Sequence, residues 1–363
     1  MKYGRFFISL VLGAAASFGL TADDVRWLST EYDFGTFREA DGKRTGYLKF
    51  VNKGAEPTVI NRVRPTCGCT VAEYTEGEIA PGDTATVSFT YNPAGRPGRF
   101  LKHIKVYTGV DNRLSSLTIK GTVIGAPQTL ATEYPVESGA LRLSTDTLNM
   151  GHITMGSSRN EFIHGYNQSS DTLDLSWSVV PKAISLGVSS RKIAPGDIFT
   201  LSVYLNTAEG MELGRNDMRF MLHSRPAGEA HANEIPFTVT AYVDADFSSV
   251  TPEQMKTAPV VNLYPTVVEL GTVTEKDRKI KVEVSVTNDG KSPLTVRRIY
   301  SPQIALRRAT KTPMGIKPGK TAKIEVEIDG SLIPAGLFNI PIEVLTDDPL
   351  RQGTRFRLVG TRK

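Results

Sequence analysis

The stretch Thr84-Ala85-Thr86-Val87-Ser88-Phe89-Thr90-Tyr91 alternates between polar and apolar side chains along its whole length. Because successive side chains of a β-strand point to opposite faces, this period of two indicates a strand with one buried face and one solvent-exposed face. The same alternation recurs at 279–286 and 323–328, and no comparable stretch shows a sustained helical period. The pattern is typical of antiparallel sheets and predicts an all-β protein.

A set of landmarks shows that the strand pattern is repeated. Gly35, Gly151 and Gly271 lie one domain length apart, and each follows a similar short segment. Three further landmarks follow each glycine in the same order and at nearly constant offsets, namely an asparagine turn, a Pro-Gly turn and a later glycine: Asn52, Asn167 and Asn288; Pro81-Gly82, Pro195-Gly196 and Pro318-Gly319; Gly98, Gly214 and Gly336. Several landmarks in one order indicate a triplicated domain.

The three repeats predict three immunoglobulin-like antiparallel β-sandwich domains in tandem. Each would have about seven short strands over about 100 residues. We expect the domains at residues 24–125, 140–245 and 262–363. Burial of Val, Ile, Leu and Phe must stabilise each sandwich, because the only two cysteines lie too close in sequence to link two sheets.

The N-terminus has the pattern of a secretory signal. Lys2 and Arg5 precede an apolar run at 6–20, and small residues then lead into an acidic pair. The pattern predicts a signal peptide at residues 1–22 and a periplasmic, cell-surface or secreted protein. A retained membrane anchor is the alternative, although the run is short for a spanning helix. The expected cleavage point has no cysteine near it, so we expect no lipid anchor on cysteine. No later stretch is apolar enough to span a bilayer.

Charge and motifs disfavour several classes of function. The net charge is +5, and Lys and Arg form no stripe with interleaved aromatic residues, so we expect no nucleic-acid partner. Gly-x-Ser-x-Gly, phosphate-binding glycine loops and His-Glu-x-x-His do not occur, so we expect no enzyme and no cofactor. Asp347-Asp348-Pro349 resembles a set of calcium ligands but is interpreted as a turn, and Arg96-Pro97-Gly98-Arg99 is interpreted as an exposed basic turn. Four of the five histidines are scattered without the spacing of metal ligands: His152, His164, His223 and His231.

Both cysteines lie in Arg64-Pro65-Thr66-Cys67-Gly68-Cys69-Thr70. The favoured interpretation is a local structural disulfide between Cys67 and Cys69. Residues two apart in a strand share a face, Gly68 lets the chain bend, and an oxidising compartment favours the bridge. Such a small loop constrains the unfolded chain little, so the bridge should add little stability.

Two other interpretations of the cysteine pair stay open. One is thiol–disulfide exchange, in which Arg62 and Arg64 would lower a thiol pKa, although the strand–helix context of thioredoxin is missing. The other is a Cu(I) site on two thiolates, with His103 as the one histidine of the first repeat. The matching positions in the other repeats are Ala183 and Gln303, so the fold itself does not require the cysteines.

The first repeat carries a group of motifs: Phe34-Gly35, Asn52-Lys53-Gly54, Cys67-Gly68-Cys69-Thr70, Ile79-Ala80-Pro81-Gly82 and Gly98-Arg99-Phe100. Together they resemble a bacterial family of exported domains of unknown function, common in Bacteroidetes and related to Hydin-type (ASH) and major-sperm-protein-like immunoglobulin folds. The resemblance covers about residues 25–125, whereas the other repeats fit only the general fold. It implies an immunoglobulin-like fold and an exported location, and it supplies no catalytic residues.

The sequence therefore favours an exported, non-enzymatic scaffold or protein-binding protein of the cell envelope. Its partner would be another envelope or surface protein, and strand addition at a sheet edge is the expected mode of recognition. Two alternatives remain: a periplasmic thiol-redox or copper-handling protein that uses Cys67 and Cys69, and a carbohydrate-binding surface protein. In a carbohydrate-binding protein, the aromatic side chains that could stack on sugar rings would be Trp27, Tyr242, Tyr264 and Tyr300.

Overall fold

The computed structural model describes residues 25–363. The expected signal peptide, residues 1–22, lies outside the described residues. From residue 25 onward the chain forms three successive β-sandwiches with very little helix, so the fold class predicted from the sequence is confirmed. No helix in this part of the chain combines the length and the apolar character needed to cross a membrane.

The first sandwich packs two four-stranded sheets against each other. Their orders are β1-β3-β6-β5 and β2-β8-β7-β4. The strands are β1 (Val25–Trp27), β2 (Glu31–Arg38), β3 (Arg44–Asn52), β4 (Ile60–Pro65), β5 (Thr70–Tyr74), β6 (Thr84–Tyr91), β7 (Gly98–Thr108) and β8 (Arg113–Ile124). A 3-10 turn at Glu39–Asp41 follows β2, and the short helix α1 (Pro127–Leu130) follows β8.

The second sandwich has two five-stranded sheets, β14-β16-β12-β10-β9 and β11-β18-β17-β13-β15. Its strands are β9 (Val136–Ser138), β10 (Leu141–Leu143), β11 (Thr147–Thr154), β12 (Ser158–Asn167), β13 (Leu173–Ser178), β14 (Ile184–Val188), β15 (Lys192–Ile193), β16 (Ile198–Asn206), β17 (Gly214–Pro226) and β18 (Asn233–Asp244).

The third sandwich follows the short helix α2 (Pro252–Met255) and has sheets of order β19-β21-β25-β23 and β20-β27-β26-β22-β24. Its strands are β19 (Val261–Tyr264), β20 (Val267–Val273), β21 (Ile280–Asn288), β22 (Leu294–Tyr300), β23 (Leu306–Ala309), β24 (Met314–Ile316), β25 (Thr321–Ile328), β26 (Gly336–Thr346) and β27 (Gly353–Arg362). Every sandwich has more strands than the seven expected. The second and third form one compact unit, Leu130–Lys363, and the first lies in a separate unit that ends at Thr129.

Each sandwich contains one parallel strand pair, which the sequence did not predict. The pairs are β2 with β8, β11 with β18 and β20 with β27. The register of each pair shifts at a bulge beside Gly35, Gly151 or Gly271, whose φ angles are +67°, +66° and +66°. Glycine adopts this left-handed conformation without a steric cost. The repeated glycine of the sequence therefore marks a bulge in the parallel pair.

A buried asparagine links two turns in each sandwich. In the first, Asn52 is fully buried, and its Nδ2 donates to the carbonyls of Glu56 and Ile79, both at 2.9 Å. Its Oδ1 accepts from the backbone N–H of Gly54 at 2.9 Å, and its carbonyl accepts from Gly82 of the Pro-Gly turn. The equivalent asparagines of the other sandwiches, Asn167 and Asn288, repeat this pattern. One side chain thus connects both of the repeated turns.

We expect Asn52→Ala to lower the free energy of unfolding of the first sandwich by about 2–3 kcal/mol. The substitution removes three hydrogen bonds and leaves the buried Ile79 carbonyl without this donor. Hydrogen–deuterium exchange of the full chain, followed by mass spectrometry, should show faster exchange in β3 and β6.

The control for this variant is Asn61→Ala in the same sandwich. Asn61 is exposed and donates to the carbonyl of Gly109, so its loss should cost less than about 1 kcal/mol. Equal changes in the two variants would contradict the structural role given to the buried asparagine.

Candidate binding groove at the cysteine loop

The loop at residues 66–69 crosses from β4 in one sheet of the first sandwich to β5 in the other. The backbone N–H of Thr66 donates to the carbonyl of His103 on β7 at 2.9 Å, and the Thr66 hydroxyl donates to the same carbonyl at 3.0 Å. At the other end, the N–H of Asn92 donates to the carbonyl of Cys69 at 2.9 Å. The loop is therefore held by backbone groups on both sheets.

Cys67 and Cys69 are joined by a disulfide within this loop. Their sulfurs are 1.99 Å apart and their Cα atoms 5.3 Å apart. Cys69 is only 7% exposed and packs in an aromatic cluster, whereas Cys67 is partly exposed. The Thr70 hydroxyl lies 3.6 Å from the Cys67 sulfur and 3.8 Å from the Cys69 sulfur. Because each sulfur is bonded to the other, a metal could bind them as thiolates only after reduction.

An open groove of about 540 Å³ runs past the disulfide. We call it the cysteine groove, and the residues that line it are Cys67, Gly68, Cys69, Tyr91, Arg96, Pro97, Arg99, Phe100 and Lys102. The rings of Tyr91 and Phe100 stack in parallel with their centroids 4.0 Å apart. Among the described residues that line the groove, three side chains are cationic and none is anionic. The groove therefore offers an aromatic surface and a positive potential beside a disulfide.

The tyrosine of the groove stays neutral at physiological pH. Burial raises the pKa of the Tyr91 hydroxyl, and the nearby Arg96 guanidinium opposes this shift without reversing it. A neutral Tyr91 does not cancel the positive charge of Arg96. This charge therefore contributes to the potential that a ligand in the groove would meet.

Glu39 positions the loop that carries Arg96. Its carboxylate accepts hydrogen bonds from the N–H of Gly95 at 2.7 Å, the N–H of Ala126 at 2.9 Å and the hydroxyl of Thr129 at 2.9 Å. Burial raises the pKa of Glu39, but the three hydrogen bonds outweigh burial and hold the pKa below its usual value. A charged Glu39 therefore holds the loop at residues 93–98 at neutral pH.

The basic residues expected to act on the thiols lie elsewhere. Arg62 on β4 stacks over the ring of Tyr107, with its guanidinium carbon 4.3 Å from the ring centroid, and neither it nor Arg64 lines the groove. The cations at the disulfide come instead from the β6–β7 connection and from β7. The sequence showed the basic turn at 96–99, but only the fold brings this turn to the cysteines.

The described part of the chain does not assemble a metal site around the cysteine loop. His103 lies on β7 with its Nδ1 3.3 Å from the Thr118 hydroxyl. Among residues 25–363, no group of three or more His, Cys, Asp or Glu side chains is arranged to hold a metal ion. Asp347 and Asp348 instead bond backbone N–H groups, including those of Thr295 and Val261.

The aromatic residues considered for carbohydrate stacking have other contacts. Trp27 packs edge-on against Phe50 with ring centroids 5.0 Å apart. The Tyr300 hydroxyl accepts from the N–H of Arg215 at 2.9 Å and interacts with Tyr242. Of the four, only Tyr264 keeps most of its surface exposed, at 75%. Three of the four are thus engaged in internal contacts.

A comparison with protein families finds a match over the first sandwich. The family described as "Protein of unknown function (DUF1573)" matches residues 25–123. The match agrees with the resemblance to an immunoglobulin-like family of unknown function. No curated protein sequence matches the chain.

Solved structures that match the chain include a protein of unknown function from Porphyromonas gingivalis W83, at 18% identity and a TM-score of 0.48, over 61% of this chain and 100% of that one. An endo-fucoidan hydrolase from glycoside hydrolase family 107 shares 11% identity at a TM-score of 0.26, over 88% of this chain but 42% of the hydrolase. The ASH/PapD-like domain of human CEP192 shares 10% identity at a TM-score of 0.26, over 30% of this chain and 88% of that domain. These values assign no function to the chain.

We expect Glu39→Gln to loosen the loop that carries Arg96 at neutral pH. The folded pKa of Glu39 lies below its usual value, so its stabilising effect is present above the unfolded pKa and is lost as pH falls through the folded pKa. The amide of Gly95 should therefore exchange several-fold faster in the variant at neutral pH, and the difference should vanish in acid. NMR hydrogen exchange at a series of pH values measures this ratio.

Glu76→Gln, at an exposed turn of the same sandwich, is the control and should leave Gly95 unchanged at every pH. A difference between Glu39→Gln and the unaltered protein that persisted in acid would show that the carboxylate charge does not hold the loop.

Proposed function

We propose that the chain is an exported, non-enzymatic scaffold of the cell envelope whose first sandwich binds a partner protein. The observation that carries this proposal is the open edge of β5. In the sheet β1-β3-β6-β5, no strand of the described chain pairs with the outer side of β5. This edge begins at Thr70, directly after the cysteine loop. An unpaired edge is a ready site for strand addition.

The register of β5 identifies the groups that a partner strand would meet. The bonds from Asn92 N–H to the Cys69 carbonyl and from Thr75 N–H to the Thr86 carbonyl fix the phase of the β5–β6 ladder. In an antiparallel pair the inward and outward backbone groups alternate. The N–H and C=O of Ala72 therefore point away from β6 and are directed to the open edge.

The side chain of Val71 adds an apolar contact beside this edge. It is 66% exposed on the outer face of the sheet. A partner strand that pairs with Ala72 would cover part of this side chain, which favours binding through apolar burial. The edge thus offers both backbone groups and apolar surface.

The second and third sandwiches provide the scaffold part of the proposal. Arg298 donates to the carbonyl of Leu213 at 2.6 Å and pairs with Glu212 at 2.7 Å. The Gln352 side chain accepts from the N–H of Ala245 at 2.8 Å. These contacts join the two sandwiches within one compact unit and restrict the motion of one against the other. A joined pair of domains suits a spacer that holds other parts at a fixed distance.

Export to the envelope is part of the same proposal. Its support is the signal pattern of residues 1–22 together with the disulfide between Cys67 and Cys69. Disulfides persist mainly in oxidising compartments such as the bacterial periplasm and the cell surface. The partner would then be another envelope or surface protein.

We expect Ala72→Pro to abolish partner binding while the first sandwich stays folded. Proline removes the outward N–H of Ala72, and it is tolerated on an edge strand whose N–H faces solvent. A photo-crosslinking amino acid at Val71 in cells that produce the chain should capture the partner, and Ala72→Pro should remove this adduct. Ala72→Ser keeps the N–H and should retain it. Equal capture by the proline and serine variants would rule out strand addition at β5.

A further inference from the structure

We propose that the Cys67–Cys69 disulfide exchanges with thiols, and that the cysteine groove selects thiols carried on negatively charged molecules. Strand addition at β5 requires no covalent step, so this inference goes beyond the proposed function. It rests on the unequal access to the two sulfurs, on the Thr70 hydroxyl beside them and on the cations of the groove.

Access to the two sulfurs is unequal. Cys69 is 7% exposed and packs with Phe37, Tyr91 and Phe100, whereas Cys67 is partly exposed at the groove. An incoming thiolate therefore reaches Cys67, and Cys69 becomes the leaving sulfur. Which sulfur is attacked determines which cysteine carries the mixed disulfide.

The exchange is balanced without any further reactant. The thiolate of the incoming molecule attacks the Cys67 sulfur, a new S–S bond forms, and the old S–S bond breaks. The electron pair of the broken bond stays on the Cys69 sulfur as a thiolate. The incoming sulfur is oxidised to the disulfide level while Cys69 is reduced, and attack by Cys69 on Cys67 reverses the step.

The leaving thiolate has a hydrogen-bond donor beside it. The Thr70 hydroxyl is 3.8 Å from the Cys69 sulfur, within the distance of a bond to sulfur. A donor to the charged form stabilises a thiolate and makes it a better leaving group. The same hydroxyl is 3.6 Å from the Cys67 sulfur, so it can stabilise either sulfur as a thiolate, and the unequal access to the two sulfurs selects Cys69 as the leaving group.

The cations of the groove give the exchange its selectivity. Arg96, Arg99 and Lys102 line the groove that contains the disulfide, and no acidic side chain of the described chain lines it. Positive potential raises the local concentration of anions and stabilises thiolates. A thiol with additional negative charge should thus react faster than a neutral or cationic thiol of similar size.

The test uses three small thiols of graded charge with the full-length protein. These are 2-mercaptoethanesulfonate, 2-mercaptoethanol and cysteamine, and reduction is followed by acid quenching, alkylation and intact mass. The rate per thiolate should fall in that order, by at least about ten-fold from first to last. In about 1 M salt, where screening acts over roughly 3 Å, the ratio should shrink to about two-fold. Equal rates at low salt would overturn the proposal.

Two double variants show where the selectivity resides. Arg96→Gln/Lys102→Gln removes two of the three positive charges that line the groove and should reduce the rate ratio between the first and the last thiol several-fold. Arg62→Gln/Arg64→Gln removes the same charge from β4, outside the groove, and should preserve the order. Loss of the order in the β4 variant alone would place the selectivity outside the groove and contradict the inference.

The attacked sulfur can be identified without any substitution. Peptide mapping of the mixed disulfide formed by the unaltered protein should place the adduct on Cys67, and an adduct mainly on Cys69 would overturn the proposal. Circular dichroism after full reduction should show the fold retained, because backbone bonds hold the loop on both sheets. Unfolding on reduction would show a purely structural disulfide.

A final comparison distinguishes two sources of the anionic thiol. Glutathione and an acidic cysteine-containing peptide of equal net charge are offered to the same protein. Equal rates per thiolate would identify a small thiol as sufficient. A faster peptide, with the excess lost in Ala72→Pro, would identify a protein segment that also pairs with β5.

Discussion

The buried asparagine of each sandwich is the contact on which the rest of the fold depends. Asn52 ends β3 and bonds both to the loop that follows and to the segment that enters the Pro-Gly turn before β6. Water cannot replace these bonds at a fully buried site, so the two turns keep a fixed relation. That relation sets β6 beside β3, and β6 in turn supports the open strand β5. The same arrangement at Asn167 and Asn288 explains why these residues recur in the sequence.

The candidate site is an addition to this framework. The cysteine loop joins two sheets, the connection after β6 carries Arg96, and β7 carries Arg99 and Lys102, so three separate segments meet at one end of the first sandwich. The other repeats form similar sandwiches with Ala183 and Gln303 at the matching loop position. The cysteines are therefore not needed for the sandwich fold, and their role is specific to the first sandwich. This agrees with the general observation that fold does not determine function.

Much of the architecture was predictable because it follows from local patterns. Alternating side chains predicted the long strands, and ordered turn residues predicted three repeats. Strands such as β15 are too short to show an alternation, so the number of strands was underestimated. The parallel pairs and the cysteine groove were missed for another reason. Sequence spacing shows which side chains share a strand face, but it does not show which distant turns meet. The sequence therefore places Arg62 and Arg64 near the thiols and gives no sign that Arg96 reaches them.

Export and the exchangeable disulfide are tested most directly by the mass of the chain taken from its native envelope after acid quenching and alkylation of free thiols. We predict a chain that begins at Asp23, with Cys67 joined either to Cys69 or to another thiol. A chain that retains residues 1–22 and carries two alkylated cysteines would contradict both export and the exchangeable disulfide.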